Sequence, residues 1–253
     1  MIRTDFKLRY QASVLGYLWS ILKPLFIFAI LYTIFGKVLK LGAGVPNYAL
    51  SLLLGIVLWN FFAEATSGAL KSVVAKGSLI RKIDIPRYLI PISATASAFI
   101  NMILNLTVVF LFLAFAQINA LSWQTLIIFP VLILELIILT LGVGFFLAAV
   151  YVKLRDIDYI WEVMRQALFY AIPIIYPLSR VPTETIQQIM LMNPLVQIIQ
   201  DARSVITYKG TEQVPDVFSS AAFQLIPITL VLASIFIGVG YFMKKSKHFA
   251  ENI

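Results

Sequence analysis

The sequence contains no cysteine and a single histidine, His248. The lack of cysteine excludes disulfide bonds and thiolate metal sites. Two catalytic motifs are also missing, the GxxxxGK[ST] phosphate loop and the HExxH zinc motif. The chain therefore has no recognisable device for hydrolysing a nucleotide or for binding zinc.

Charge is scarce as well, at 13% of the residues. The 65 residues from Tyr88 to Val152 contain one acidic or basic side chain, Glu135. An apolar run of about 20 residues spans a bilayer as a helix, so this stretch is long enough to cross, turn and cross back. With 60% hydrophobic residues and a mean hydropathy of +0.92, the sequence predicts an all-α integral membrane protein built as one bundle.

Charged residues divide the chain into six predicted transmembrane helices. The predicted spans are residues 21–41, 47–70, 89–116, 125–152, 160–178 and 217–243. The fifth is the weakest, because its uncharged core contains Pro173 and Pro177. We expect this helix to be kinked or partly unwound against its neighbours.

The formal net charge of +8 comes from basic residues in short clusters between the apolar runs. This arrangement indicates membrane topology and not a nucleic-acid partner. Of the 20 lysines and arginines, fifteen lie on one side of the predicted bundle and five on the other. The positive-inside rule then predicts both termini in the cytoplasm. Residues 1–11 are charged and lack a small-residue cleavage site, so we do not expect a removable signal peptide.

The segment 1–20 has a pattern of its own. If Ile2–Ser20 is helical, Phe6, Tyr10 and Tyr17 fall on one stripe, with basic residues on another. The pattern predicts an amphipathic helix that lies in the membrane interface. An ordinary membrane anchor is the alternative.

Two cytoplasmic loops, Lys71–Arg87 and Lys153–Arg165, are longer and richer in charge than turns require. We interpret them as docking surfaces for a cytoplasmic partner, and the alternative is solvated caps with topology-setting charges. The candidate docking residues are Arg81, Lys82, Asp84 and Arg87 in the first loop, and Arg155, Asp156, Asp158 and Trp161 in the second.

On the outer side, residues 180–216 contain two moderately apolar pieces, Thr185–Met192 and Leu195–Ile206, separated by Asn193 and Pro194. Neither piece is long enough to span the membrane. They predict a pair of short helices that dip into the outer leaflet, and a surface loop with helical content is the alternative.

The intramembrane acid Glu135 is a functional candidate, since buried carboxylates in membranes are costly. The structural alternative is a hydrogen bond to a neighbouring helix such as that of Asn101 and Asn105. Four glycines are interpreted as close helix contacts. They are Gly142, Gly144, Gly238 and Gly240.

Four motifs suggest a family. They are LRYQASVLGYLWSILKPL at Leu8–Leu25, the loop ending IDIPR, VKLRDI at Val152–Ile157, and Asn193-Pro194. Together they resemble the membrane subunit of type-2 ABC exporters, closest to permeases that export O-antigen and other lipid-linked cell-surface polysaccharides or teichoic acid. The resemblance covers the whole chain. One departure is Leu154, where relatives often have phenylalanine before the RD pair.

The resemblance implies a homodimer of permeases that binds two ATP-binding cassette subunits, which carry ATP and magnesium. It implies no catalytic site and no cofactor on this chain. The cytoplasmic loops would couple the ATPase motion to the spans, residues 180–216 would form an outer gate, and a lipid-linked glycan would be the substrate. The expected location is the inner or plasma membrane of a bacterium or archaeon.

In such permeases the path runs between the first and fifth spans and is lined with aromatics. Phe28, Tyr32 and Phe35 lie at i, i+4 and i+7 on the first span here, and Phe169 and Tyr176 lie seven residues apart on the fifth. Aromatic faces with polar tips suit sugar rings. Helix packing is the alternative for this stripe.

Three other functions stay open at this point. One is a type-2 ABC exporter of a drug or small lipid. Another is a membrane-embedded enzyme that uses Glu135 and the outer loop, although the sequence lacks a paired acid and base at close spacing. The third is a channel or secondary transporter, although no internal repeat is visible.

Overall fold

The computed structural model describes residues 18–78, 86–116, 122–207, 210–218, 221–247 and 249. Within them, every regular element is helical. Most of the predicted interface helix 1–20 lies outside the described residues, as does the loop with Arg81, Lys82 and Asp84. The α-helices are α1 (Leu18–Leu31), α2 (Tyr48–Ala75), α3 (Leu89–Phe115), α4 (Trp123–Lys153), α5 (Ile157–Ala171), α6 (Glu184–Leu191), α7 (Pro194–Ile206), α8 (Val214–Val217), α9 (Ala221–Gln224) and α10 (Ile226–Ser246).

Five helical stretches in the described chain are long and apolar enough to cross a membrane. They correspond to the first four and the last of the predicted spans. The first continues from α1 into a π-helical segment, Tyr32–Val38. These strongly apolar stretches form helices because only internal hydrogen bonding satisfies the backbone inside a bilayer.

The helix α2 lies at the centre of the bundle. It packs mainly against α3 and α4 and also contacts α1, α5 and α7. Every residue from Leu50 to Trp59 is buried. A helix that is apolar on all sides is expected to be surrounded by protein in this way.

Two glycines bring α4 and α10 into backbone contact. A Cβ atom on Gly238 would overlap the carbonyl of Gly142. A Cβ on Gly144 would lie 2.9 Å from the Cβ of Ala69 on α2. These three glycines confirm the predicted close contacts, because small residues let helix backbones approach. Gly240 does not, since a Cβ there would meet nothing within 4 Å.

The fifth predicted span, 160–178, is a shorter helix followed by irregular chain. The helix α5 ends at Ala171, and at about 1.5 Å per residue its 15 residues reach roughly 22 Å. Pro173 and Pro177 follow in a non-helical segment that ends in a 3₁₀ turn, Leu178–Arg180. Ile172, Ile174 and Ile175 in this segment are buried in protein.

The last span begins nine residues later than the predicted start at residue 217, because Pro227 occupies the first turn of α10. Proline lacks an N–H and has a fixed φ, so it favours this position. The short helices α8 and α9 precede it.

The pair of short helices predicted at Thr185–Met192 and Leu195–Ile206 is present as α6 and α7. Asn193 caps α7, since its side-chain oxygen accepts from the Leu195 N–H at 3.0 Å, and Pro194 opens the helix. The helix α7 is largely buried against α4, with further contacts to α2 and α10.

One end of the bundle, here called the basic end, carries most of the lysines and arginines that the structure describes. Arg87 before α3 donates to the carbonyl of Ser246 in α10, and Lys71 in α2 pairs with Asp158 in α5. The opposite end, here called the far end, carries α6 and α7.

Candidate substrate path and coupling surface

The predicted aromatic residues of the first span lie beside the start of α2. The rings of Phe28 and Tyr32 stack with centroids 5.7 Å apart, and the Tyr32 centroid lies 6.5 Å from that of Tyr48. All three side chains are half-buried and pack against the main core. We call these three residues the aromatic face. Phe35 follows in the π-helical segment and is also half-buried.

The Tyr48 side chain connects the aromatic face to the irregular part of the fifth segment. Its hydroxyl donates to the carbonyl of Ile175, next to Tyr176. Tyr48 and Tyr176 both line a cavity of about 170 Å³ at the far end. The structure thus brings Tyr176 near the aromatic face through Tyr48, which sequence analysis did not single out.

Phe169 is half-buried as well, but its ring contacts the central helix. Its ring centroid lies 5.7 Å from that of Trp59 on the buried stretch of α2. Phe169 therefore makes helix-packing contacts on at least one side, whereas the hydroxyl of Tyr176 donates only to nearby carbonyls of Tyr170 and Ala171. The lining role of these residues remains a prediction.

The second cytoplasmic loop, Lys153–Arg165, and the helix α5 that overlaps it have an inner side, which contacts α2, and an outer side, which is exposed. On the inner side, Lys71 Nζ lies 2.8 Å from Asp158 Oδ2, and Trp161 Nε1 donates to Thr66 Oγ1 at 3.2 Å. Both contacts join α5 to α2. Asp158 and Trp161, predicted as docking residues, thus bind within the chain.

The outer side carries Arg155 and Asp156, which are exposed, and Tyr159, whose side chain is 72% exposed. The Arg155 guanidinium lies 5.1 Å from the centroid of the Tyr151 ring, a cation–π contact. Sequence analysis did not separate these two sides. The helical period of α5 was the available signal, because its apolar and polar residues separate onto two faces.

Glu135 has a neighbouring helix beside it, as the structural alternative expected, but that helix is α7 and not the example given, the helix of Asn101 and Asn105. The Glu135 carboxyl lies beside the Gln197 side chain of α7, and one Glu135 oxygen is buried with no hydrogen-bond partner among the described residues. Asn101 instead donates to Glu64 Oε1 at 2.7 Å. The reason is that α4 turns this side chain toward α7, with which it packs closely.

Beside Glu135 lies a second acid, Asp201 in α7. Its carboxylate accepts from Gln197 Nε2 at 2.6 Å and from Gln213 Nε2 at 3.0 Å. Burial raises the pKa of Asp201, and these two hydrogen bonds oppose the rise. The described residues include no group of three or more histidine, cysteine or acidic side chains placed to hold a metal ion.

Sequence analysis missed the role of Arg203, the most deeply buried basic residue of the described chain at 3% exposure. Its guanidinium donates to the carbonyls of Pro173 at 2.5 Å, Ile174 at 2.6 Å and Ser51 at 3.1 Å. Burial lowers the pKa of Arg203 to about 10, so it stays protonated at neutral pH. The sequence did contain a signal for this role, since an arginine within the apolar piece Leu195–Ile206 indicates a buried and hydrogen-bonded side chain.

Space for this guanidinium comes from a glycine in α2. A Cβ on Gly55 would lie 2.7 Å from the Nη2 atom of Arg203. Arg203 therefore ties α7, α2 and the irregular segment after α5 together at the far end.

Comparison with known proteins identifies the family. A family model described as ABC-2 type transporter matches residues 1–207. The O-antigen export system permease protein RfbA of Klebsiella pneumoniae is 30% identical over 98% of this chain and 91% of its own length.

Two further relatives are similar at lower sequence identity. The O-antigen export system permease protein RfbA of Myxococcus xanthus is 26% identical over 100% of this chain and 94% of its own length. The polysialic acid transport protein KpsM of Escherichia coli is 23% identical over 90% of this chain and 88% of its own length. The chain belongs to the ABC-2 type transporter family of membrane proteins.

Proposed function

We propose that this chain is the permease subunit of an ATP-driven exporter that moves a lipid-linked cell-surface polysaccharide across the bacterial inner membrane. The observation that carries the proposal is similarity over nearly the whole chain to permeases named for O-antigen export. The relative named for polysialic acid transport has a cargo of the same class. These names do not favour the alternative of a drug or small-lipid exporter.

The proposed complex contains two permeases and two separate ATP-binding cassette subunits, which hold ATP and magnesium. This chain then contributes no catalytic group. In this arrangement the basic end faces the cytoplasm, and with it both termini. The concentration of lysine and arginine at that end supports the orientation.

The exposed side of α5 would receive the ATPase. Arg155, Asp156 and Tyr159 provide charge and an aromatic ring, the residue types that suit a protein interface. The opposite side of α5 is fixed to α2 through Asp158 and Trp161. A push on α5 is therefore delivered to the central helix of the bundle.

The glycan would pass along the aromatic face and Tyr176. Tyrosine rings give sugars an apolar surface to stack on, and their hydroxyls give a hydrogen-bonding edge. Half-burial lets each ring pack on one side and present the other.

The test is polymer export by the permease reconstituted with its ATPase in vesicles. Replacing Tyr32 or Tyr176 by alanine should lower export several-fold, since one aromatic contact contributes about 0.5–1.5 kcal/mol. ATPase activity should stay at the wild-type value, and export is expressed per folded molecule so that any loss of packing is separated from loss of the path. Phe236→Ala is the matched control, because this α10 side chain is 75% exposed and away from the aromatic face.

If Tyr32 and Tyr176 are packing residues only, the alanine variants should instead melt at lower temperature and export normally per folded molecule. That result would reject the path. Wild-type complex that hydrolyses ATP but moves no polymer would reject the proposed function itself.

A further inference from the structure

Two acceptor oxygens are buried without a donor where α4 packs against α7. They are Oε1 of Glu135 and Oε1 of Gln197, and neither has a hydrogen-bond partner among the residues that the structure describes. Gln197 is 7% exposed, and its side chain lies beside the Glu135 carboxyl. A buried polar atom without a partner costs free energy, so native proteins nearly always supply one. The site therefore lacks a donor hydrogen.

The nitrogen of the same amide does not remove the shortage. Gln197 Nε2 donates to Asp201 Oδ2, one helical turn along α7, at 2.6 Å. Turning the amide over would place its oxygen against the Asp201 carboxylate, which is also an acceptor. The amide oxygen thus stays without a donor in either orientation.

The two acids also lack a positive partner. Among the described residues, neither Glu135 nor Asp201 forms an ion pair, and Asp201 is the charged group that acts on Glu135. Arg203, in the same helix as Asp201, donates to backbone carbonyls and to Gln200 instead. A carboxylate within a membrane span is costly when no positive charge offsets it.

The other helices that pack against α4 do not supply such a charge. The helix α3 contains no acidic or basic residue. The charged residues of the remaining helices lie nearer the basic end than Glu135 does. They are Glu64 and Lys71 in α2, Asp158, Glu162 and Arg165 in α5, and Lys244 and Lys245 in α10.

We infer that Glu135 is a proton-binding site and is a neutral carboxylic acid in the folded protein. The carboxyl O–H is then the missing donor, and the amide oxygen of Gln197 is the neighbouring acceptor without a partner. Both oxygens are buried, so a water molecule or a metal ion has no room to reach them, whereas a proton needs none. Asp201 accepts from two amides and keeps its charge.

The proton has a route to water at the far end of the bundle. Asp201 lines a cavity of about 340 Å³ there, together with the hydroxyl groups of Ser122 and Thr125. Its carboxylate can exchange protons with water in that cavity, and Gln197 connects it to Glu135. The site therefore exchanges with the side of the membrane that the far end faces. The identification of that side as the outside rests on the proposed function.

The test is infrared difference spectroscopy of the purified full-length permease in lipid nanodiscs, without its ATPase. A protonated carboxyl group has a carbonyl stretching band that a carboxylate lacks. The wild-type spectrum minus that of Glu135→Gln should show this band at neutral pH, and transfer to D₂O should shift it. Glu184→Gln is the matched control, because Glu184 is an exposed acid at the far end whose difference spectrum should lack the band.

The neighbouring charge gives a second measurement. In Asp201→Asn, Glu135 should lose its proton at a lower pH than in the wild-type protein, because the nearby negative charge is gone. A role limited to packing would leave this titration unchanged. If Glu135→Gln did not fold, the wild-type band and its movement in Asp201→Asn would still decide the question.

Absence of the band from the wild-type minus Glu135→Gln spectrum at neutral pH would overturn the proton site. A band that disappears when sodium replaces choline in the buffer would assign the site to a sodium ion. A band that is lost in Asp201→Asn and kept in Glu135→Gln would move the proton to Asp201. A band that does not shift in D₂O would overturn the access from the far end. These measurements need neither the ATPase nor polymer, so failure of the proposed function would not change their result.

Discussion

At the scale of single residues, Arg203 connects three parts of the chain, since it lies in α7 and bonds both α2 and the segment after α5. The carbonyls of Pro173 and Ile174 lie in non-helical chain, so they have no helical N–H to accept from. The guanidinium of Arg203, which lies in α7, donates hydrogen bonds to both carbonyls. One side chain thus hydrogen-bonds backbone carbonyls that have no helical partner, because the prolines of the fifth segment interrupt the helix.

Replacing Arg203 by methionine should therefore destabilise the protein. The two carbonyls would be left buried without donors, which costs about 1–3 kcal/mol for each group. The Arg203→Lys protein should also be less stable, because an ammonium group cannot reproduce the planar arrangement of N–H donors of a guanidinium. The measurement is the melting temperature of the detergent-solubilised protein.

Arg180→Met is the matched control, since Arg180 is exposed and donates to the Ala43 carbonyl at 3.0 Å. Its melting temperature should change little. An Arg203→Met protein as stable as Arg180→Met would show that the irregular segment is held by other contacts.

At the scale of elements, the contact between α4 and α10 depends on the absence of side chains at Gly142 and Gly238. Gly238→Ala should push the helices apart, because the obstacle is backbone that cannot rotate away. Overpacking of this kind costs about 1–3 kcal/mol. Gly240→Ala, on the same helix with open space around it, should be neutral or slightly stabilising.

Thermal unfolding of the two glycine variants side by side checks this expectation. Both carry the same change in helix propensity, so the difference between them reports the contact alone. Equal melting temperatures would mean that α4 and α10 separate without cost.

The outer side of α5 gives a second expectation at this scale. Arg155→Glu and Asp156→Lys should each lower transport and weaken the coupling of ATP hydrolysis to it, since each places a like charge against the partner surface. Both residues are exposed, so folding should be little affected. Transport and ATPase rates of the reconstituted complex are the measurements.

Arg180→Glu controls for the change in charge, because it lies at the far end. Wild-type transport in both the Arg155→Glu and the Asp156→Lys variant would remove the docking role from this surface. The Asp158 and Trp161 contacts would then be structural only.

At the scale of the whole molecule, the orientation in the membrane is open to a direct test. Cysteine at Ser122 or Thr211 should react with an impermeant thiol reagent added outside intact cells, and cysteine at Ser78 should not. Ser78 is exposed, so failure to react would reflect its side of the membrane and not burial. The wild-type chain has no cysteine and gives no background.

Permeabilised cells provide the control, because Ser78→Cys should then be labelled. Labelling of Ser78→Cys in intact cells would reverse the proposed orientation. It would also move the coupling surface to the outside and so contradict the proposed function.

The sequence by itself determined the class of protein, the positions of four long helices to within a few residues, and the two short far-end helices on either side of Asn193. It did so because a bilayer accepts apolar chain almost only as helix, and because proline and asparagine mark helix starts locally. The motif at Leu8–Leu25 further indicated the family that the comparisons show.

Only the tertiary structure decided which polar groups meet. Glu135 faces Gln197, Glu64 faces Asn101, and Arg203 reaches the chain after α5. These pairings depend on how each helix is rotated about its axis, which follows from packing at residues such as Gly142 and Gly238. Hydropathy is nearly the same all round the long helices α2, α3 and α4, so the sequence pattern carries little information about their rotation, whereas α7 has distinct apolar and polar faces.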